Sequence, residues 1–128
     1  MAFTVNLITP ERALPEMQAD HVTAIAIDGQ VGIRTGHAPL VALLKDESYI
    51  IVRTFGVADF KAYAVRGGVA QMLDNQLKVL TPSAVDLAAI DPALVRKRAD
   101  SEKDPAQKAW LEHQLQVLAA NPFPAGRV

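Results

Sequence analysis

The chain has 128 residues, half of them apolar, with 13 basic and 14 acidic side chains and a net charge of −1. That length holds one domain, or one small domain with an appendage, and the apolar share suits a packed core rather than disorder. The near-neutral charge leaves no electrostatic footprint for nucleic acid, and the lack of cysteine excludes disulfides, thiolate chemistry and cysteine-ligated zinc. The apolar runs are broken well before the roughly 18 residues that cross a bilayer. The opening MAFTVNLITPERAL has no basic-then-apolar signal pattern, so synthesis in the cytosol without direct membrane insertion is expected.

Up to about residue 90 short alternating or apolar segments are separated by turn residues, the texture of a half-buried antiparallel sheet. Phe3, Val5 and Leu7 alternate with Thr4 and Asn6, Val22 to Ile27 is β-prone, and Tyr49 to Val52 and Phe60 to Val65 are β-branched or aromatic. Asp74-Asn75 precedes Leu77, Val79 and Leu80, and both turn residues tolerate positive φ, which suits a tight hairpin. Six to ten such strands fit, and a single sheet would leave one apolar face wet, so a sandwich or flattened barrel is expected. In VRGGVAQML the glycines read as a bulge or a close backbone approach, because no lysine or helix start follows to hold a phosphate.

After Ile90 two stretches, DPALVRKRADSEK and DPAQKAWLEHQLQVLAANP, open with the same three residues. Asp91 and Asp104 can cap free backbone N–H groups, and Pro92 and Pro105 stand at the first helical position, where the missing N–H costs nothing. Ala106, Trp110, Leu111, Gln114, Val117 and Leu118 line one face of the second helix, and Asn121-Pro122 stops it. The short connection at Ser101 to Asp104 folds the two helices back on each other.

No active site is visible. His21, His37 and His113 make no metal-ligand spacing, and no nucleophile elbow, phosphate loop or dinucleotide fingerprint occurs. Arg96-Lys97-Arg98 could grip an anion, but on a short helix such a run is usually a solvated face. No catalytic residue, metal or cofactor is expected.

The order of the pieces is more specific than any one of them: a strand-rich segment, G-H-A-P-L in a loop, G-G-V before a hairpin, and a helical hairpin opening on an Ile-Asp pair. Through GQVGIRTGHAPLVALL, VRGGVAQMLDNQLKVLTPSAV and AIDPAL the chain resembles the epsilon subunit of F-type ATP synthases, from about residue 3 to residue 99. The resemblance implies a mainly β N-terminal domain, a two-sheet sandwich of about ten strands over residues 1–87. A C-terminal antiparallel α-helical hairpin over residues 88–128 would follow. It implies a non-catalytic rotor subunit of the central stalk, coupling ion flow through the c ring to ATP synthesis. Its partners would be the gamma subunit and the c ring, with the alpha and beta subunits in reach of a hairpin that extends and restrains ATP hydrolysis. The implied place is peripheral, on the cytoplasmic face of the bacterial inner membrane.

In that family the loop from Gly29 through Leu40 lies at the sandwich end that meets the c ring and the foot of gamma. The expected rotor contacts are therefore Gln30, Val31, Gly36, His37, Ala38, Pro39 and Leu40. Gly32 and Gly36 would let the chain turn tightly, Pro39 would fix its exit and His37 would offer a polar tip; alternatively G-H-A-P-L merely folds the sandwich. Many relatives carry an acid at the position of Gln30, so a neutral hydrogen bond would replace a charge contact here. Trp110, Leu111 and Leu118 are expected to hold the hairpin on the sandwich. Some members bind ATP through Ile/Leu-Asp followed by x-x-Arg-Ala. Ile90 and Asp91 match as candidate nucleotide-binding residues, but Leu94 and Val95 replace the Arg and Ala, so weak inhibition and indifference to ATP are expected. Two other readings are a small-ligand-binding sandwich with the hairpin as a lid and, more remotely, a sandwich hydrolase. Both need convergent polar residues at one mouth, and the sequence offers no such cluster.

Overall fold

A computed structural model describes residues 3–36, 38–54 and 61–120, with 119 and 120 described as backbone only. Ten strands precede two helices: β1 (Phe3–Ile8), β2 (Met17–Ala19), β3 (His21–Ala26), β4 (Gly29–Arg34), β5 (Leu40–Leu44), β6 (Ser48–Arg53), β7 (Lys61–Val65), β8 (Gly68–Leu73), β9 (Gln76–Leu80), β10 (Ala84–Asp86), α1 (Pro92–Ser101) and α2 (Pro105–Ala120). Hydrogen bonding runs β10-β7-β6-β3-β5-β8-β9-β1-β2, with β4 on β3. The network curls into two leaves, a first of β10, β7, β6, β3 and β4 and a second of β5, β8, β9, β1 and β2, joined at one corner. There β3 pairs β6 over His21 to Ala24, then meets β5 through Ala26 and Leu44.

The alternation in β1 is realised: Phe3, Val5 and Leu7 are each 1% exposed, and Thr4, Asn6 and Ile8 point outward. They meet Met72, Leu77 and Val79 of the same leaf and Val22, Ile33, Ile50, Val52, Tyr63 and Val65 of the other in one core. The hydroxyl of Tyr63 donates to Met17 Sδ at 3.5 Å. Burial, and then the nearby Asp86 carboxylate, push its pKa above the ordinary tyrosine value.

Asp74 and Asn75 take φ of 52° and 59°, the mirror-image turn whose twist matches the flanking strands, and they join β8 to β9 in register from Leu73↔Gln76 to Val69↔Leu80. Gly68 is the close approach expected of the glycine pair: φ is +111°, and a Cβ there would stand 2.9 Å from Thr81 Cα and against the Leu80 carbonyl. One pairing departs from the expected antiparallel sheet. β1 runs parallel to β9, from Thr4↔Gln76 to Ile8↔Leu80, because the long connection between them returns the chain in the same direction.

The hairpin caps the outer face of the first leaf. Asp91 accepts from the N–H groups of Ala93 and Leu94 at 3.0 and 3.5 Å, and Asp104 accepts from Ala106 at 3.2 Å. β7 is buried on both sides. Tyr63 and Val65 face the sandwich core, and Ala62 and Ala64 face outward, small enough for α2 to lie close to the sheet. No helix among the described residues is long and apolar enough to cross a membrane.

Candidate functional site

The expected contact loop is only partly a loop. Residues 29–34 form β4, which carries the chain about 16 Å at roughly 3.3 Å per residue, so the described members of the expected contact set fall into two groups at opposite ends of a strand. Gln30 is exposed beside the turn at Ile27 and Asp28, while Val31 turns inward and packs on the core. At the other end Gly36, with φ +79°, donates its N–H to Asn75 Oδ1 at 2.9 Å, so the β8–β9 turn braces the G-H-A-P-L end. Ala38 and Pro39 are exposed, and Leu40 opens β5 half-buried against the core. His37 lies outside the described residues. Gly32 corrects the expectation of a turn residue: it is a strand residue whose outward side lies under the His21 ring.

A surface that patterning alone did not single out lies on the second leaf, on the side away from the hairpin. Leu44, Ala70, Val79 and Leu7 point into the core, so their strand neighbours point out. The register then aligns Leu43, Val69, Leu80 and Ile8 in one row across β5, β8, β9 and β1. Leu43 and Leu80 are 53% and 51% exposed. Ile27, 60% exposed, extends the row through its N–H to the Leu43 carbonyl at 2.9 Å, and Val41 at 66% lies beside it. A contiguous apolar row of this kind marks a partner surface rather than scattered exposure. Its signal was the run Val41–Leu44, too apolar for a strand with one wet face.

The hairpin is held by apolar packing and a few polar contacts. Trp110 and Val117 are 6% exposed and pack with Ile51, Ala62, Ala64 and Leu87, and Leu118 joins them half-buried. Leu111 turns to α1 instead, against Val95 and Ala99. His113, one turn beyond Trp110 on the same face, donates from Nε2 to the Ser48 carbonyl at 2.8 Å in a buried contact. The Ser48 hydroxyl donates in turn to the Ile25 carbonyl at 2.7 Å, so α2 is tied to the corner where the leaves join. Arg66 donates to Gln107 Oε1 at 3.3 Å and lies 5.9 Å from the Trp110 ring centre. A cleft of about 560 Å³ opens beside it, lined by Asp46, Glu47, Arg66, Ser83, Ala106 and Trp110 among others. His113→Ala is expected to weaken hairpin docking by about 1–3 kcal/mol. Amides of α2 should then exchange several-fold faster while those of the sandwich core stay unchanged. Unchanged exchange in α2 would show that the apolar contacts alone hold it.

The candidate nucleotide residues already have structural partners. The Asp91 carboxylate is taken by the helix cap, and Ile90 is half-buried between the sheet cluster and the α1–α2 cluster. Leu94, which stands where the expected nucleotide motif calls for an arginine, is 54% exposed. Arg96 reaches Asp100 at 3.9 Å on the exposed side of α1.

Comparison with known proteins gives the same outline. A family described as ATP synthase, Delta/Epsilon chain, beta-sandwich domain matches residues 2–104. The ATP synthase epsilon chain of Gloeothece citriformis is 33% identical over 121 residues, covering 94% of this chain and 78% of that protein. A chain of the mitochondrial ATP synthase of Euglena gracilis, described as OSCP/F1/c-ring, aligns with a TM-score of 0.66 at 21% identity, over 93% of this chain and 80% of that one. A chain of the Tetrahymena thermophila mitochondrial enzyme, described as central stalk/cring, gives 0.58 at 15% identity, over 94% and 96%.

Proposed function

The chain belongs to the ATP synthase delta/epsilon family, and from that premise we propose that it is a non-catalytic subunit of the central stalk. It binds a gamma subunit and a c ring, turns with them, and passes torque between ion flow and ATP synthesis. Its place is peripheral, at the cytoplasmic face of a bacterial inner membrane. The apolar row Ile27, Leu43, Val69, Leu80 and Ile8 supports this reading most directly, because a sandwich that transmits torque must present a broad, well-packed face to its partner. The gamma subunit covers that row, and the exposed residues at the two ends of β4, Gln30 on one side and Ala38 and Pro39 on the other, meet gamma or the ring. Purified chain mixed with gamma should give a stable one-to-one complex by calorimetry and gel filtration; two separate peaks would contradict the assignment.

The sandwich, residues 1–87, and the hairpin, 88–128, are separable units in this reading, and the hairpin regulates weakly. At about 1.5 Å per residue α2 spans about 24 Å, its 16 residues carry little basic charge, and its apolar face is occupied by the first leaf. A chain ending after Leu87 retains the Leu87 N–H bond to the Ala62 carbonyl at 3.0 Å but uncovers Ile51, Ala62 and Ala64. It is expected to fold cooperatively with a lowered melting temperature, and ATP hydrolysis by the assembled enzyme should change less than about twofold. A several-fold rise in hydrolysis would refute weak inhibition, and an unfolded fragment would refute the boundary. With the cap using Asp91 and no arginine at position 94, millimolar ATP should leave the isolated chain's melting temperature unchanged. The rival reading, a ligand-binding sandwich under a helical lid, would use the cleft beside Arg66, where Gln107 and Trp110 already engage the guanidinium.

A further inference from the structure

We propose that gamma also grips a second apolar patch, Leu73 with Pro39 at the end of the sandwich, and that Asn75 is the positioning residue that holds the two sides of this patch together. The proposal rests on the central-stalk reading for the identity of the partner.

The outer face of the second leaf carries this patch as well as the apolar row. Leu40 pairs with Met72 and both pack on the core, so the positions one step further along, Pro39 and Leu73, fall side by side on the outer face. Pro39 is exposed and Leu73 is 45% exposed. Along β5 the same face runs through Val41, 66% exposed, to Leu43 of the row. A partner lying on the row therefore reaches the patch without leaving apolar surface, and this continuity assigns the patch to gamma. Beside Leu73 lies a hollow of about 170 Å³, lined also by Gln71, Asp74, Gln76 and Lys78. An apolar contact with a hollow next to it and a polar rim around it is the form in which an interface seats a partner's anchoring side chain.

Asn75 joins the two sides. Gly36 donates its N–H to Asn75 Oδ1 at 2.9 Å, and four residues later Leu40 enters the ladder beside Met72. The connection that carries Ala38 and Pro39 is thus fastened to the β8–β9 hairpin at both ends, once by a side chain and once by a strand. Asn75 serves the fold with other atoms: its backbone closes the turn at φ 59°, and its carbonyl accepts from the Thr4 N–H at 3.0 Å. Glycine would do both at least as well, since it takes positive φ without cost and Asp-Gly is a favoured pair for this turn. Only the side-chain acceptor for Gly36 would be missing, so that bond is separable from the turn.

The test combines calorimetry against gamma with amide exchange and thermal melts of the isolated chain. Leu73→Asp, at an exposed position, should keep its melting temperature and weaken gamma binding at least tenfold. Asn75→Gly should melt no lower than wild type, yet speed exchange of the Gly36 amide and weaken gamma binding, each at least fivefold. Asn75→Asp, which restores the acceptor and tolerates the same φ, should bring both readouts back near wild type. A Leu73→Asp chain that binds gamma as wild type does would overturn the patch and leave the central-stalk reading standing. Loss of c-ring binding at unchanged gamma affinity would give the patch to the ring and overturn gamma as its occupant. An Asn75→Gly chain with unchanged Gly36 exchange, or with faster exchange at full affinity, would overturn the positioning role. A wild-type chain that binds no gamma would overturn the central-stalk reading and the patch's partner together.

Discussion

Replacing Leu43 and Leu80 together by aspartate is expected to weaken binding to gamma about a hundredfold or more while leaving the melting temperature of the isolated chain nearly unchanged. Both side chains are half exposed on the outer face of the second leaf, so the free protein loses little core contact, and surface substitutions of this kind usually change stability by about 0.5 kcal/mol or less. In a complex the same positions lie two strands apart on one row, joined by Val69, where a central apolar contact contributes about 2 kcal/mol or more. Two buried carboxylates add a desolvation cost without a partner, and about 2.8 kcal/mol already corresponds to a hundredfold. Leu94→Asp serves as the control: it is as exposed as Leu43 but lies on α1, so gamma affinity should not change. Equal loss of stability and binding in the double variant would mean that the row supports the fold instead.

The largest effect on the fold itself is expected at Gly68. Alanine there must adopt φ +111° and place its Cβ against the Leu80 carbonyl and 2.9 Å from Thr81 Cα. Those are backbone atoms, so relief requires β8 and β9 to part where Val69 pairs with Leu80. Conformational strain of about 1–2 kcal/mol and an overpacking cost of about 1–3 kcal/mol together remove much of the roughly 5–15 kcal/mol that holds a domain. Gly36→Ala is the comparison, since φ is +79° but open space surrounds the added Cβ, and it should cost only the strain. Matched thermal melts of the two variants measure the difference; a Gly68→Ala protein that melts with the wild type would show that the strands can separate there freely.

What the sequence displays depends on how local its cause is. The strand pattern of Phe3, Val5 and Leu7 follows from one face being buried, the Asp74-Asn75 turn from tolerance of positive φ, and the helix starts from Asp91-Pro92 and Asp104-Pro105; each needs only neighbouring residues. The parallel pairing of β1 with β9 is set by a partner some 70 residues away and has no local mark. The family resemblance runs one loop from Gly29 through Leu40, whereas residues 29–34 take their strand character from pairing with β3 along all six residues, which leaves no local mark. Gln30 and Gly36, expected in one contact group, are set apart by that strand. Leu111 shares a broad apolar face with Trp110, so the sequence alone puts it against the sandwich; the step of about 100° between adjacent helical residues turns it toward α1 instead. His113 carried a faint signal, its spacing from Trp110 and Val117, but nothing local announces that the Ser48 carbonyl waits opposite it.

Purification of a tagged copy from native membranes in mild detergent shows whether this chain works as a stalk subunit. Gamma and the c ring should come with it in fixed stoichiometry, and the Leu43→Asp, Leu80→Asp variant should come away without them at equal expression. A wild-type chain that elutes with neither gamma nor the ring is not a stalk subunit.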